Sequence, residues 1–93
     1  MKITVLVWDD ENVAHIARHG VRPTEVEEVC FGSQKVLLRT RVGRYAVLGR
    51  SEIGRYLKVI LTLPVRGRSR VITAREMSVN ERHYYLKMAK GRS

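Results

Sequence analysis

Residues Arg70–Tyr85 read RVITAREMSVNERHYY, which is a strand pattern followed by a short hinge and the start of a helix. The β-branched residues of Arg70–Arg75 indicate the strand. Ser78, three residues before Glu81, forms the capping-box signature that predicts the helix. The same stretch concentrates cationic and aromatic side chains, which are the groups a surface needs to hold phosphates and stack bases. A strand and a helix would hold such a site more rigidly than a free loop.

Along the rest of the chain, the hydrophobic pattern indicates a strand, then two helices, and then a run of further strands. A β-branched run at 3–8 predicts a strand, and two amphipathic patterns then predict helices. The first helix ends near Gly20; the second opens with either Pro23 as its first residue or a Thr24–Glu27 capping box. From residue 35 onward the period is two, which predicts strands at 35–41, 45–49, 56–63 and 70–75, with Val42–Gly43 as the first turn.

This order of elements predicts a single α+β domain over residues 1–93. Short turns between consecutive strands favour antiparallel pairing. We therefore expect an N-terminal strand and two helices packed on a four- to five-stranded antiparallel sheet, followed by a C-terminal helix that ends near Ala89. The two short helices should cover one face of the sheet and leave the other free for ligand.

The charge of the chain is strongly asymmetric. Residues 1–34 hold three Lys/Arg and six Asp/Glu, whereas residues 35–93 hold fifteen and three, and the net charge is +9. A positive face of this kind attracts a polyanion, of which nucleic acid is the first candidate, an acidic protein the second and a membrane surface the third. A single cysteine, Cys30, suits a reducing cytoplasm, and no apolar run is long enough to cross a bilayer.

Alternation along the last strand divides its side chains between two faces. Ile72 and Ala74 are expected to face the core, which places Arg75 on the open side and leaves Arg70 near the rim. On the following helix, Arg82 and Tyr85 share one stripe. Tyr84 and Met88 share the next, a pattern more typical of a core patch than of a base-stacking platform.

Cleavage of RNA needs a group that takes a proton from the 2′-hydroxyl, a group that gives one to the leaving 5′-oxygen, and positive charge around the phosphorus. Arg75 and Arg82 could supply the charge without a metal. The candidates for proton transfer are His19, His83, Glu81 and Tyr85, although capping alone also explains Glu81. His15 and His19 have helical spacing but no evident third ligand, so we expect no metal site and no cofactor.

Several short motifs, in a consistent order, resemble those of BrnT-type toxins. The first half carries Trp8-Asp9, His19-Gly20-Val21 and Glu27-Glu28-Val29; the second carries Gly49, Gly54-Arg55, the Arg70–Arg75 strand, and Glu81-Arg82 followed by Tyr85. The first helix departs from the family pattern at Asn12, His15 and Arg18, as it would in a divergent branch.

The resemblance implies a RelE-like fold, a metal-independent ribonuclease and a toxin of a type II toxin–antitoxin pair. It further implies an antitoxin with a ribbon-helix-helix DNA-binding domain, through which the complex would reach operator DNA. Carried over by position, the catalytic residues would be Arg75, Arg82, His19 and Glu81, and the RNA-binding residues would be Arg55, Arg70 and Tyr85. The leading hypothesis is a cytoplasmic endoribonuclease that cleaves messenger RNA. The alternative is a non-catalytic RNA- or protein-binding module on the same fold.

Overall fold

A computed structural model describes residues 2–40 and 43–90. Within them the order of elements matches the predicted one: β1 (Val5–Val7), α1 (Asp10–Ala17), α2 (Pro23–Cys30), β2 (Val36–Arg39), β3 (Tyr45–Arg50), β4 (Tyr56–Leu61), β5 (Arg68–Glu76) and α3 (Val79–Lys90). Val42 of the predicted first turn, and Arg41 at the predicted end of the second strand, lie outside the described residues.

The five described strands form one sheet in the order β1-β5-β4-β3-β2. β2 to β5 pair antiparallel as predicted, whereas β1 runs parallel to β5, with Val7 opposite Arg70. The α+β class is confirmed, and the sheet is mixed rather than wholly antiparallel. The difference arises because alternation predicts a strand without predicting its direction, and no short turn joins β1 to its neighbour.

Capping interactions tie the N-terminal elements to the sheet. The Asp9 carboxylate accepts a hydrogen bond from the backbone N–H of Asn12. In return, the side-chain oxygen of Asn12 accepts one from the backbone N–H of Asp9. The buried Asn12 also donates to the carbonyls of Val7 and Val71, so one cap joins β1, α1 and β5. In α2, Pro23 is the first helical residue, and Glu25 rather than Glu27 closes the box by accepting from the Arg22 amide.

Two apolar clusters lie on opposite faces of the sheet. The larger lies beneath α1 and α2 and includes Ile16, Val26, Leu57 and Val59. Cys30 belongs to this cluster, and burial raises the pKa of its thiol to about 12, as suits a small buried hydrophobe. The smaller cluster contains Val36, Leu48 and Tyr85. Since α3 packs there, the second face of the sheet is only partly free for ligand, contrary to the sequence prediction.

A register shift in β4–β5 changes which side chains of the last strand reach the core. The shift lies between Ile60 and Leu61, and it buries both Val71 and Ala74 completely. Ile72 is therefore only half-buried, and its predicted core position is wrong. The bulge adds one residue to β5, so the alternation of buried and exposed side chains shifts by one position between Val71 and Ala74. Arg75 lies beyond the bulge and faces α3, on the open side as predicted.

Candidate functional site

Four cations meet where the open face of the sheet approaches the first turns of α3. We call them the basic cluster: Arg50, Lys58, Arg75 and Arg82. Lys58 and Arg75 lie directly opposite each other on β4 and β5, and Arg50 lies opposite Tyr56 on β3 and β4. Tyr56 and Lys58 are two residues apart on one strand and therefore share a face. Alternation along one strand sets that shared face, but only the pairing of strands brings the four cations together.

Glu81 is the carboxylate at the centre of this cluster. Its two oxygens accept from the Arg75 guanidinium at 2.8 and 3.0 Å, from Lys58 Nζ at 2.8 Å and from the Ser78 amide at 2.8 Å. Hydrogen bonds from Arg75, and then those from Lys58 and Ser78, hold the pKa of Glu81 well below its usual range. The carboxylate is therefore ionised and a weak base, and it fixes Arg75 in one orientation.

The position of Glu81 makes stability depend on pH in a predictable direction. Because its pKa is lower in the folded than in the unfolded state, ionised Glu81 stabilises the fold at neutral pH. This contribution decreases as the pH falls below the unfolded pKa of about 4.3. We expect wild type to exceed Glu81→Gln in free energy of unfolding by a constant amount above about pH 6, and the gap to narrow below about pH 4.

Urea denaturation at successive pH values measures this gap. Glu52→Gln, which changes an exposed glutamate in the β3–β4 turn, is the matched control and should have little effect on the free energy of unfolding. A gap for Glu81→Gln that stays constant through the acidic range would contradict the role assigned to the Arg75–Glu81 pair.

Tyr56 lies against two arginines of the cluster. The guanidinium carbon of Arg82 is 4.2 Å from the Tyr56 ring centroid, and that of Arg50 is 5.2 Å away. These distances are typical of cation–π contacts. In the described part of the chain, neither guanidinium forms an ion pair with a carboxylate, whereas Lys58 and Arg75 share Glu81. Arg50 and Tyr56 were missed as site residues by sequence reasoning.

The structure reverses the expected surroundings of two neighbouring tyrosines. Tyr85 is only 3% exposed and packs edge-on against Tyr56, with ring centroids 6.0 Å apart. Tyr84 and Met88 are each 40% exposed, so they do not form the predicted core patch. Tyr85 had been predicted to bind RNA, but its buried ring has almost no surface on which a base could stack. Tyr84 is the tyrosine available for such contact.

Tyr84 also lines a groove of about 340 Å³ beside the basic cluster. Leu38, Ala46 and Leu48 contribute apolar surface from β2 and β3, and Lys58 and Glu81 line the groove as well. An apolar groove that adjoins cations suits a ligand with a flat apolar part and an anionic part, which is the chemistry of a nucleotide.

Arg55 and Arg70, both predicted to hold RNA phosphates, form ion pairs elsewhere in the structure. Arg55 bonds Glu25 at 2.9 Å, Glu76 at 3.0 Å and the carbonyl of Gly20 at 2.8 Å. Arg70 pairs with the Asp9 carboxylate that caps α1. These contacts join separate elements and stabilise the fold, and the contact of either arginine with RNA stays a prediction.

The structure does not bring His19 to the basic cluster. His19 follows α1, which packs on the face of the sheet opposite α3, and its ring lies 5.7 Å from that of His15. Its role in proton transfer, like that of Glu81, stays a prediction. Over residues 2–40 and 43–90, no three His, Cys, Asp or Glu side chains group as metal ligands, and no helix is both long and apolar enough to span a membrane.

A family model matches most of the chain. Residues 8–81 match the family model described as ribonuclease toxin, BrnT, of type II toxin–antitoxin system. The chain belongs to the BrnT family. Membership makes it a toxin of such a system with a ribonuclease role, and it implies an antitoxin partner. Arg82, one of the four residues of the basic cluster, lies one residue beyond the segment that the family model matches.

A solved structure shows the same fold. The 1.1 Å crystal structure of the Brucella abortus ribonuclease toxin BrnT matches with a TM-score of 0.64 and 21% identity, covering 80% of this chain and 96% of that chain. No curated protein sequence matches the chain. The fold of this BrnT family member is thus shared with the Brucella toxin, while the details of its site rest on its own residues.

Proposed function

We propose that this BrnT family member is a metal-independent endoribonuclease that cleaves messenger RNA in the cytoplasm and thereby inhibits translation. One observation carries the proposal: the Glu81 carboxylate fixes Arg75 on the open face of the sheet, beside Arg82, which has no carboxylate partner among the described residues. The Arg75 side chain is 42% exposed, so part of its guanidinium remains available to a phosphate.

The reaction proposed is attack of the 2′-oxygen on the adjacent phosphorus. The new 2′-O–P bond forms as the P–O5′ bond breaks, which leaves a 2′,3′-cyclic phosphate and a 5′-hydroxyl. The 2′-hydroxyl proton passes to a base, and the 5′-oxygen receives a proton. Negative charge grows on the phosphoryl oxygens during attack, and the fixed guanidinium groups of Arg75 and Arg82 would stabilise it.

Glu81 is the group at the basic cluster proposed for proton transfer; the assignment of His19 to this step stays a prediction from the sequence, because His19 follows α1 on the opposite face of the sheet. Glu81 accepts four hydrogen bonds at the site, so its basicity would rise if Lys58 turned from the carboxylate towards the phosphate while Arg75 kept its orientation. For the antitoxin that family membership implies, we propose a ribbon-helix-helix protein. This protein would bring the complex to operator DNA, whereas the basic cluster of this chain would bind RNA.

Cleavage of single-stranded RNA in the presence of EDTA tests the proposal. Purified wild type should produce fragments with 5′-hydroxyl ends, and Arg82→Ala should cleave far more slowly. Arg18→Ala is the matched control because Arg18 is an exposed arginine at the end of α1, on the other face of the sheet, and it should cleave as wild type does. Binding of RNA by pure wild type without any cleavage would instead favour the non-catalytic module.

A further inference from the structure

Arg82 shares the ring of Tyr56 with a second arginine, Arg50, which has no part in the proposed cleavage centre. Arg50 comes from the end of β3 and Arg82 from the first turns of α3, and both reach the ring of Tyr56 on β4. Three separate elements therefore converge on one point of the surface. Tyr85 packs edge-on against the same ring.

Glycine at position 54 provides room for the Arg50 side chain. A Cβ atom at Gly54 would lie 3.2 Å from Arg50 Nη2, and the backbone there has a φ of +95°. The turn between β3 and β4 thus lets Arg50 fold back across it towards Tyr56. This turn also follows directly on Arg50, so the side chain is held by its own strand, the turn and the ring.

The electrostatics of this arrangement point to an anion. Two guanidinium groups that approach one ring repel each other, and among the described residues no carboxylate pairs with either of them. Lys58 and Arg75, by contrast, are already neutralised in part by Glu81. An arginine pair without a carboxylate is suited to a phosphate, since each guanidinium can donate two parallel hydrogen bonds.

We propose that Arg50 and Arg82, positioned by Tyr56, form a phosphate-binding subsite for the RNA nucleotide next to the one that is cleaved. This inference rests on the proposed function. Arg75 acts at the reacting phosphate, Arg82 reaches both phosphates, and Arg50 contacts only the neighbouring one. Tyr56 is a positioning residue: its ring holds the two cations and leaves their edges for the ligand.

Binding of an uncleavable probe tests the subsite separately from cleavage. The probe is a short, fluorescein-labelled 2′-O-methyl RNA, and its Kd is measured by fluorescence anisotropy over a range of KCl concentrations. Arg50→Gln should weaken binding by about tenfold at low salt, the loss expected for one charge-assisted contact. It should also reduce the slope of log K against log[KCl] by about 0.7, the value for one phosphate contact on a single strand.

The variants at Tyr56 separate positioning from charge. Tyr56→Phe keeps the ring and should bind as wild type does, whereas Tyr56→Leu keeps every charge but should approach the weaker affinity of Arg50→Gln. Arg18→Gln removes one exposed positive charge from the opposite face and is the matched control, expected to retain the wild-type salt slope.

Three results would overturn the subsite: an Arg50→Gln variant with unchanged affinity and slope, an equal effect of Arg18→Gln, or no binding of the probe by wild type. If an acidic protein rather than RNA occupied the arginine pair, the last of these would be observed. Wild type that binds the probe through Arg50 yet does not cleave RNA would retain the subsite and refute the proposed function alone.

Discussion

Replacing Arg75 by alanine is expected to lower the rate of RNA cleavage by roughly 10²–10³-fold, the usual loss when one fixed donor to a developing oxyanion is removed. The effect is large because Arg75 is held ready for the phosphate by two hydrogen bonds to Glu81 and one to the carbonyl of Glu76. A guanidinium that is already oriented needs no rearrangement as negative charge develops. Single-turnover cleavage of a defined RNA measures the loss.

Arg75→Lys separates orientation from charge. Lysine keeps the positive charge but cannot form the two parallel bonds to Glu81, so its cleavage rate should lie well below that of wild type. Binding of the 2′-O-methyl probe should change less than cleavage, because the contact matters most in the transition state. Cleavage by Arg75→Ala at the wild-type rate, with unchanged binding, would remove Arg75 from the mechanism.

Replacing Arg55 by alanine should instead destabilise the fold, by about 3 kcal/mol. The Glu25 side chain is only 7% exposed, so loss of Arg55 would leave a buried carboxylate without its cation. We place the loss at the lower end of the range for breaking a buried pair because Arg55 itself is 26% exposed. A change of this size is a large fraction of the stability of a small domain, typically about 5–15 kcal/mol.

Urea denaturation of Arg55→Ala measures this loss, and Arg18→Ala, at an exposed position, should change stability by no more than about 0.5 kcal/mol. Adding Glu25→Gln to Arg55→Ala should restore part of the stability, since the amide removes the buried charge while its oxygen can still accept from the Arg22 amide. If Arg55 bound RNA instead, Arg55→Ala would lose probe binding while its free energy of unfolding stayed unchanged.

Local sequence patterns determined the order of the secondary-structure elements and the start of the last helix. The order of strands and helices follows from a hydrophobic period that changes from helical to two near residue 35. The start of α3 follows from the spacing of Ser78 and Glu81. These features were predictable because they depend on residues a few positions apart, whose relative directions the backbone geometry sets. The placement of Arg75 on the open face belongs with them.

The tertiary structure decided which residues far apart in the sequence lie next to each other, and no local hydrophobic period contains that information. Alternation shows that two residues share a face, but not which distant residue lies opposite, so the pairing of β1 with β5 and the convergence of Arg50 and Arg82 on Tyr56 were not predictable. Helical spacing likewise placed Tyr84 and Tyr85 on adjacent stripes without indicating which one the sheet would bury. Ion pairs between distant residues were not predictable for the same reason. Arg55 contacts Glu25, thirty residues away, only because the fold brings the two side chains together.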